Sequence, residues 1–154
     1  GREVEDMPPM VRDRHMTVRR QNQMVKDVTQ VSAASKLGDH EILDARAAER
    51  FAGEVDEPRP GLRKGHIPGS KSVPFKNLLN PDGTMLDPEG LRAAFAAANV
   101  DLSKPVITTC GSGVTAAILS LALERIGKID HSLYDGSWCE WGAFPTLPVA
   151  TGKA

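Results

Sequence analysis

VITTCGSGVT, residues 106–115, decides how this chain is read. Val106, Ile107, Thr108 and Thr109 are all β-branched, the composition of a central strand buried on both faces. Cys110 follows at once, then Gly111, Ser112 and Gly113, then a helical periodicity over residues 114–126. A cysteine so placed sits at the carboxyl end of a strand, where open α/β sheets bind ligands. Gly111 and Gly113 let the backbone curl and aim successive N–H groups at one point, an anion-binding nest reinforced by the start of the following helix. An anionic sulfur is what such a nest favours.

An ordinary cysteine is only a few per cent thiolate at neutral pH, and making thiolate the majority form takes about 2.7 kcal/mol of differential stabilisation. One helix terminus contributes about 0.3 to 1 kcal/mol, so loop N–H groups and the hydroxyls of Ser112 and Thr115 must supply the remainder. The competing reading of Cys110 is an inert buried thiol, the commonest fate of an isolated cysteine. Cys139 lies in a tryptophan-flanked stretch without a nest and reads as a packing residue.

Outward from this loop, short apolar runs alternate with helical stretches, which predicts strands joined by crossover helices and a parallel sheet. Thr29 is a candidate cap for a helix running to Leu37 and closed by Gly38. Strands are expected at Glu41–Asp44, Ser72–Phe75 and Leu133–Asp135. Short helices are expected at Ala45–Phe51 and Trp138–Trp141. Asp87 followed by Pro88 starts an alanine-rich helix that Asn99 can end. On the helix after the cysteine, Val114, Ala117, Ile118, Leu121, Ala122 and Leu123 form the expected apolar face, and Gly127 closes it. Residues 53–69 (GEVDEPRPGLRKGHIPG) make a Pro- and Gly-rich loop long enough to be functional.

With 154 residues, 40% of them apolar, the chain can build one packed core without disulfides or metals. A net charge of −1 gives no field to gather nucleic acid or an anionic membrane. The arginines at 12, 14, 19 and 20 therefore read as a solvated linker face. No run approaches the ~18 to 20 apolar residues of a membrane span, and GREVEDMPPM lacks the apolar core of a secretory signal. The chain reads as soluble and cytoplasmic, since two separated cysteines with no C-x-x-C fit a reducing compartment. Its opening at Gly1 and its polar first residues suggest a fragment. The expected organisation is an arm or interdomain linker over 1–24, a catalytic domain over 25–145 and a C-terminal tail over 146–154. His15, His40 and His131 lack partners at metal-ligand spacing, and no metal or cofactor is expected.

Cys110–Thr115, CGSGVT, resembles the active-site loop of the 3-mercaptopyruvate sulfurtransferases of the rhodanese superfamily. Asp44-Ala45-Arg46, Arg50-Phe51, Glu57-Pro58-Arg59, Gly65-His66-Ile67-Pro68-Gly69 and Tyr134-Asp135-Gly136-Ser137-Trp138 resemble that family in type and order, so the likeness covers residues 25–145. It implies a three-layer α/β domain with a central, mostly parallel five-stranded sheet and helices on both faces. It also implies that Cys110 is the catalytic nucleophile carrying sulfur as a persulfide. Gly111, Ser112, Gly113, Val114 and Thr115 would form the active-site loop, and Arg50 and Arg59 would bind the donor's carboxylate. His66 reads as a structural residue bonding loop backbone, and Trp138 and Trp141 as packing.

Thiosulfate sulfurtransferases carry a basic residue where this chain has Ser112, so the resemblance favours 3-mercaptopyruvate as donor. Related phosphatases follow the cysteine with five residues and then an arginine, where this chain has Ala116, and without it a phosphoryl transition state loses a main source of charge stabilisation. The implied acceptor is cyanide or a thiol such as thioredoxin, and the implied partner is a preceding rhodanese domain of the same protein. Two rivals remain at this point: a thiosulfate sulfurtransferase and a rhodanese-like binding or regulatory module without turnover.

Overall fold

The computed structural model of the chain describes residues 22–153 and Thr17. The arginine cluster at 12, 14, 19 and 20, His15 and most of the expected arm lie outside them. After a 3-10 turn, β1 (Val25–Lys26) leads through α1 (Val28–Leu37), β2 (Glu41–Asp44), α2 (Ala48–Ala52), β3 (Lys71–Ser72), α3 (Pro88–Ala97), β4 (Val106–Thr109), α4 (Ala116–Arg125) and β5 (His131–Tyr134) to α5 (Ser137–Trp141). The sheet order is β1-β5-β4-β2-β3 and every pairing is parallel, which puts β4 at the centre. No helix among the described residues is long and apolar enough to cross a membrane.

Alternation along the strands divides the interior into two cores. Leu43 and Val106 point to one face, where they meet Leu91 and Phe95 of α3 and Leu119, Ala122 and Leu123 of α4. Ile42, Ile107 and Tyr134 point to the other, against Val31 and Ala34 of α1 and Trp138 and Trp141 of α5. The three-layer α/β architecture follows: a sheet covered on both faces must be apolar on both, and β2 and β4 are fully buried. Both indoles are buried as packing residues, with their N–H groups bonded to the Arg63 and Pro148 carbonyls. Leu147 and Val149 pack on the second core, and Ala150 pairs with His66.

Several boundaries differ from those expected. Asp27 rather than Thr29 caps α1, accepting from the Gln30 N–H at 2.9 Å while Gln30 Oε1 accepts from the Asp27 N–H at 3.1 Å. Gly38, with φ 65°, ends it as expected. α2 begins at Ala48 instead of Ala45, because Ala45 continues the ladder with an N–H bond to the Thr109 carbonyl and the Arg46 N–H is taken by the Asp44 carboxylate. β3 is Lys71–Ser72, not Ser72–Phe75, since Pro74 has no N–H to donate and the chain turns into a 3-10 helix at Phe75. β5 starts earlier than expected, at His131, and pairs with β4 from its first residue.

The apolar face of α4 is also corrected. Ala116, Leu119, Ala122, Leu123 and Ile126 are buried, while Val114, at 74% exposure, and Leu121 face outward. The Ala117 and Ile118 N–H groups reach back only three residues, to Val114 and Thr115, so the entry turn is tight and the helix starts two residues later and in a different phase.

Candidate active site

Cys110 stands immediately beyond the central strand and is 2% exposed. Its N–H donates to the Ser137 hydroxyl at 3.2 Å, and that hydroxyl donates to the Tyr134 carbonyl at 2.8 Å. Ser137, a non-glycine residue at φ 50°, is held in this conformation by those bonds and by the Thr109 hydroxyl. The carbonyls of Cys110 and Gly111 accept from the N–H groups of Trp138 and Cys139, both at 2.9 Å. The first amides of α5, which a short helix leaves without partners, are thus satisfied by the cysteine loop. The loop's own amides are not spent this way: among the described residues, the N–H groups of residues 111–116 donate to no other protein group.

Both glycines of the loop have a geometric reason. At Gly113, with φ 84°, a Cβ would lie 2.9 Å from Asp135 Oδ1 and 3.0 Å from the Asp135 carbonyl oxygen. At Gly111 a Cβ would lie 3.2 Å from Arg50 Nη2, so the missing side chain lets a guanidinium rest against the loop.

That guanidinium is positioned by a buried ionic chain. Arg46, 1% exposed at its side chain, donates from Nε and Nη2 to the Asp44 carboxylate at 2.7 to 3.1 Å, from Nη1 to Glu57 at 2.7 Å and from Nη2 to the Gly65 carbonyl at 2.7 Å. Its guanidinium also lies 4.4 Å from the Trp138 ring centroid. Glu57, 2% exposed, receives Arg46 on one side and Nε and Nη2 of Arg50 on the other. Two carboxylates and two guanidiniums balance, which is the condition for burying charges at all. Arg50 remains 26% exposed and turns its free edge to the cleft.

His66 fixes the helix that carries Arg50. Its ring stacks on Phe51 with centroids 3.8 Å apart and planes within 5°, and its Nδ1 pairs with the Phe51 carbonyl at 2.8 Å. The expected structural role is met, on α2 rather than on loop backbone. Burial lowers the His66 pKa below the ordinary 6.5, against the raising influence of the Phe51 carbonyl and Asp44. The unfolded chain therefore binds a proton that the folded chain refuses just below pH 6.5, so this contribution to stability is complete above 6.5 and is lost as pH falls through the folded value. Urea midpoints measured between pH about 7.5 and about 5.5 should fall with acidification, and less steeply in His66→Gln. Equal slopes in the two proteins would remove His66 from this dependence.

The site residues expected from sequence converge on one cleft of about 230 Å³, lined by Cys110, Gly111, Ser112, Val114 and Thr115 on one side and Arg50 and Arg59 on the other. Gly113 is buried behind it against Asp135. Arg50, Arg59 and Glu57 give the lining a net charge of +1, suited to a monoanionic carboxylate. Sequence reasoning gave no role to Glu57 or Ser137, although each sits in a motif it had marked, and it left Leu62 unremarked. Cys139 departs from the packing role expected for it. It lines the cleft, with its sulfur 2.8 Å from Arg59 Nη1.

The rhodanese-like domain family matches residues 27–144. The 3-mercaptopyruvate sulfurtransferase of Escherichia coli K12 is 49% identical over 129 residues, covering 84% of this chain and 46% of that protein. The thiosulfate sulfurtransferase of Bos taurus is 48% identical over 116 residues, covering 73% of this chain and 39% of that protein. Overall identity thus does not separate the two donor classes. Among solved structures, SseA from E. coli superposes with a TM-score of 0.69 at 41% identity, covering 80% of this chain and 45% of that one. Tum1 from Saccharomyces cerevisiae gives a TM-score of 0.77 at 33% identity, covering 87% and 48%. The chain spans less than half the length of these curated relatives. Its sheet order, its cysteine loop and these similarities agree: the chain belongs to the rhodanese-like domain family.

Proposed function

We propose that this domain transfers sulfur from 3-mercaptopyruvate to a thiophilic acceptor through a persulfide on Cys110. The observation that carries the reading is the convergence of one cysteine, a loop of unspent amides and two arginines on a single cleft. Arg50 and Arg59 hold the donor's carboxylate, and Ser112 and Thr115 orient its thiol. The Cys110 thiolate attacks the donor sulfur, the carbon–sulfur bond breaks, and its electron pair leaves on pyruvate enolate, which takes up a proton. The outer sulfur stays on Cys110, its charge met by the loop N–H groups. Cyanide or a thiol, thioredoxin being one such acceptor, then attacks the outer sulfur and releases the Cys110 thiolate, in ping-pong order.

A second rhodanese domain preceding this one is proposed to cover the cleft. The support is the short span relative to the relatives and the exposed Val114 on the cleft lining. A cytoplasmic location is proposed on two free thiols, although one relative is mitochondrial.

Donor choice is the direct test. Ser112 offers no second cation for a dianion, so kcat/KM for 3-mercaptopyruvate should exceed that for thiosulfate by about tenfold or more. Faster turnover of thiosulfate reverses the donor assignment. Arg50→Ala and Arg59→Ala should each raise KM for 3-mercaptopyruvate by about 10- to 100-fold with a smaller change in kcat, the signature of lost uniform binding. Unchanged KM would clear an arginine of that role.

A further inference from the structure

Two sulfurs line the cleft, and the reaction above uses one. Cys139 and Cys110 are both free thiols, and both contribute to the walls of the same small space. Cys139 is tied to the catalytic loop by its N–H bond to the Gly111 carbonyl, and its neighbour Trp138 is tied to the Cys110 carbonyl, both at 2.9 Å. The first turn of α5 is therefore held against the loop. The Cys139 sulfur meets the Arg59 guanidinium rather than hydrocarbon, which is not the setting of a thiol used for packing.

We propose that Cys139 is a resolving thiol that discharges the Cys110 persulfide inside the domain, an activity that rests on the persulfide reading above. The Cys139 sulfur attacks the inner sulfur of Cys110–S–SH. The bond between inner and outer sulfur breaks, its electron pair leaves with the outer sulfur as hydrosulfide, and hydrosulfide takes the proton given up by Cys139. A Cys110–Cys139 disulfide forms. The Cys139 sulfur is oxidised and the outer sulfur reduced by the same amount, so no external oxidant is needed. The disulfide then awaits an external dithiol, which returns both cysteines to the thiol form. Without an acceptor, the domain on this account yields sulfide rather than stalling as a persulfide.

The test uses the full chain, reduced and freed of small thiols, with one equivalent of 3-mercaptopyruvate and no acceptor. The wild-type chain should release close to one equivalent of sulfide and finish ~2 Da below its reduced mass. Cleavage at Arg125 and Lys128 places the two cysteines on separate peptides, which should be recovered joined. Cys139→Ser should release at least about tenfold less sulfide and keep a gain of ~32 Da on the Cys110 peptide. Equal sulfide from both proteins, a lasting gain of ~32 Da on wild-type Cys110 without a cross-link, or the gain appearing on Cys139 would each overturn the resolving role. If Cys139→Ser does not fold, the wild-type peptide map alone decides. If neither protein gains mass nor releases sulfide, the persulfide reading itself fails.

Discussion

On the proposed mechanism, Cys110→Ser should lower kcat/KM for sulfur transfer by at least about 10³-fold, equivalent to about 4 kcal/mol of transition-state stabilisation. The size follows from the chemistry. A serine hydroxyl at neutral pH is neither ionised nor thiophilic, and it cannot accept a sulfur to form the intermediate that splits the reaction in two. The substitution removes little else, since the backbone bonds of residue 110 to Ser137 and Trp138 do not depend on its side chain. Steady-state kinetics with 3-mercaptopyruvate and cyanide, beside a thermal melt showing the fold retained, measure this. Residual turnover within about tenfold of wild type would mean that another group carries the sulfur.

Arg46→Ala should cost about 3 to 5 kcal/mol of stability, because it leaves Asp44 and Glu57 as buried carboxylates without their common cation. Both are nearly inaccessible to water, so the charges cannot be solvated where they stand. The stacking on Trp138 and the bond to the Gly65 carbonyl are lost as well. For a domain of this size the melting temperature should fall by about 10 to 20 °C. Arg46→Lys should recover only part of the loss, since an ammonium lacks the fork that reaches Asp44, Glu57 and Gly65 together. A variant melting within a few degrees of wild type would show that the ionic chain contributes little. Glu57 links this chain to Arg50, so binding of the donor is expected to weaken along with the fold.

Much of this arrangement could be read in the sequence because it is written in local patterns. The β-branched run at 106–109, the strand EILD at 41–44 and the Asp87-Pro88 helix start each depend on nearby residues, and each stands where it was expected. What escaped depends on contacts and turn geometry that hydrophobic periodicity does not record. The start of α2 is set by the Thr109 carbonyl on the neighbouring strand, and the phase of α4 by the tight turn that leads out of the loop. Neither leaves a mark in the periodicity. Glu57 and Cys139 were missed as cleft residues for the same reason. Glu57 acts through arginines 7 and 11 residues away, and Cys139 reaches Arg59 across 80 residues. Motif order brought Cys110, Arg50 and Arg59 to attention, and folding made them neighbours.

The most direct test follows the sulfur atom itself. A single addition of 3-mercaptopyruvate, quenched with acid inside the first turnover, before Cys139 discharges the persulfide, and digested, should give a gain of ~32 Da on the peptide that contains Cys110 and ends at Arg125. That gain should be absent from Cys110→Ser. A wild-type peptide of unaltered mass, with pyruvate already formed, would contradict sulfur transfer through Cys110.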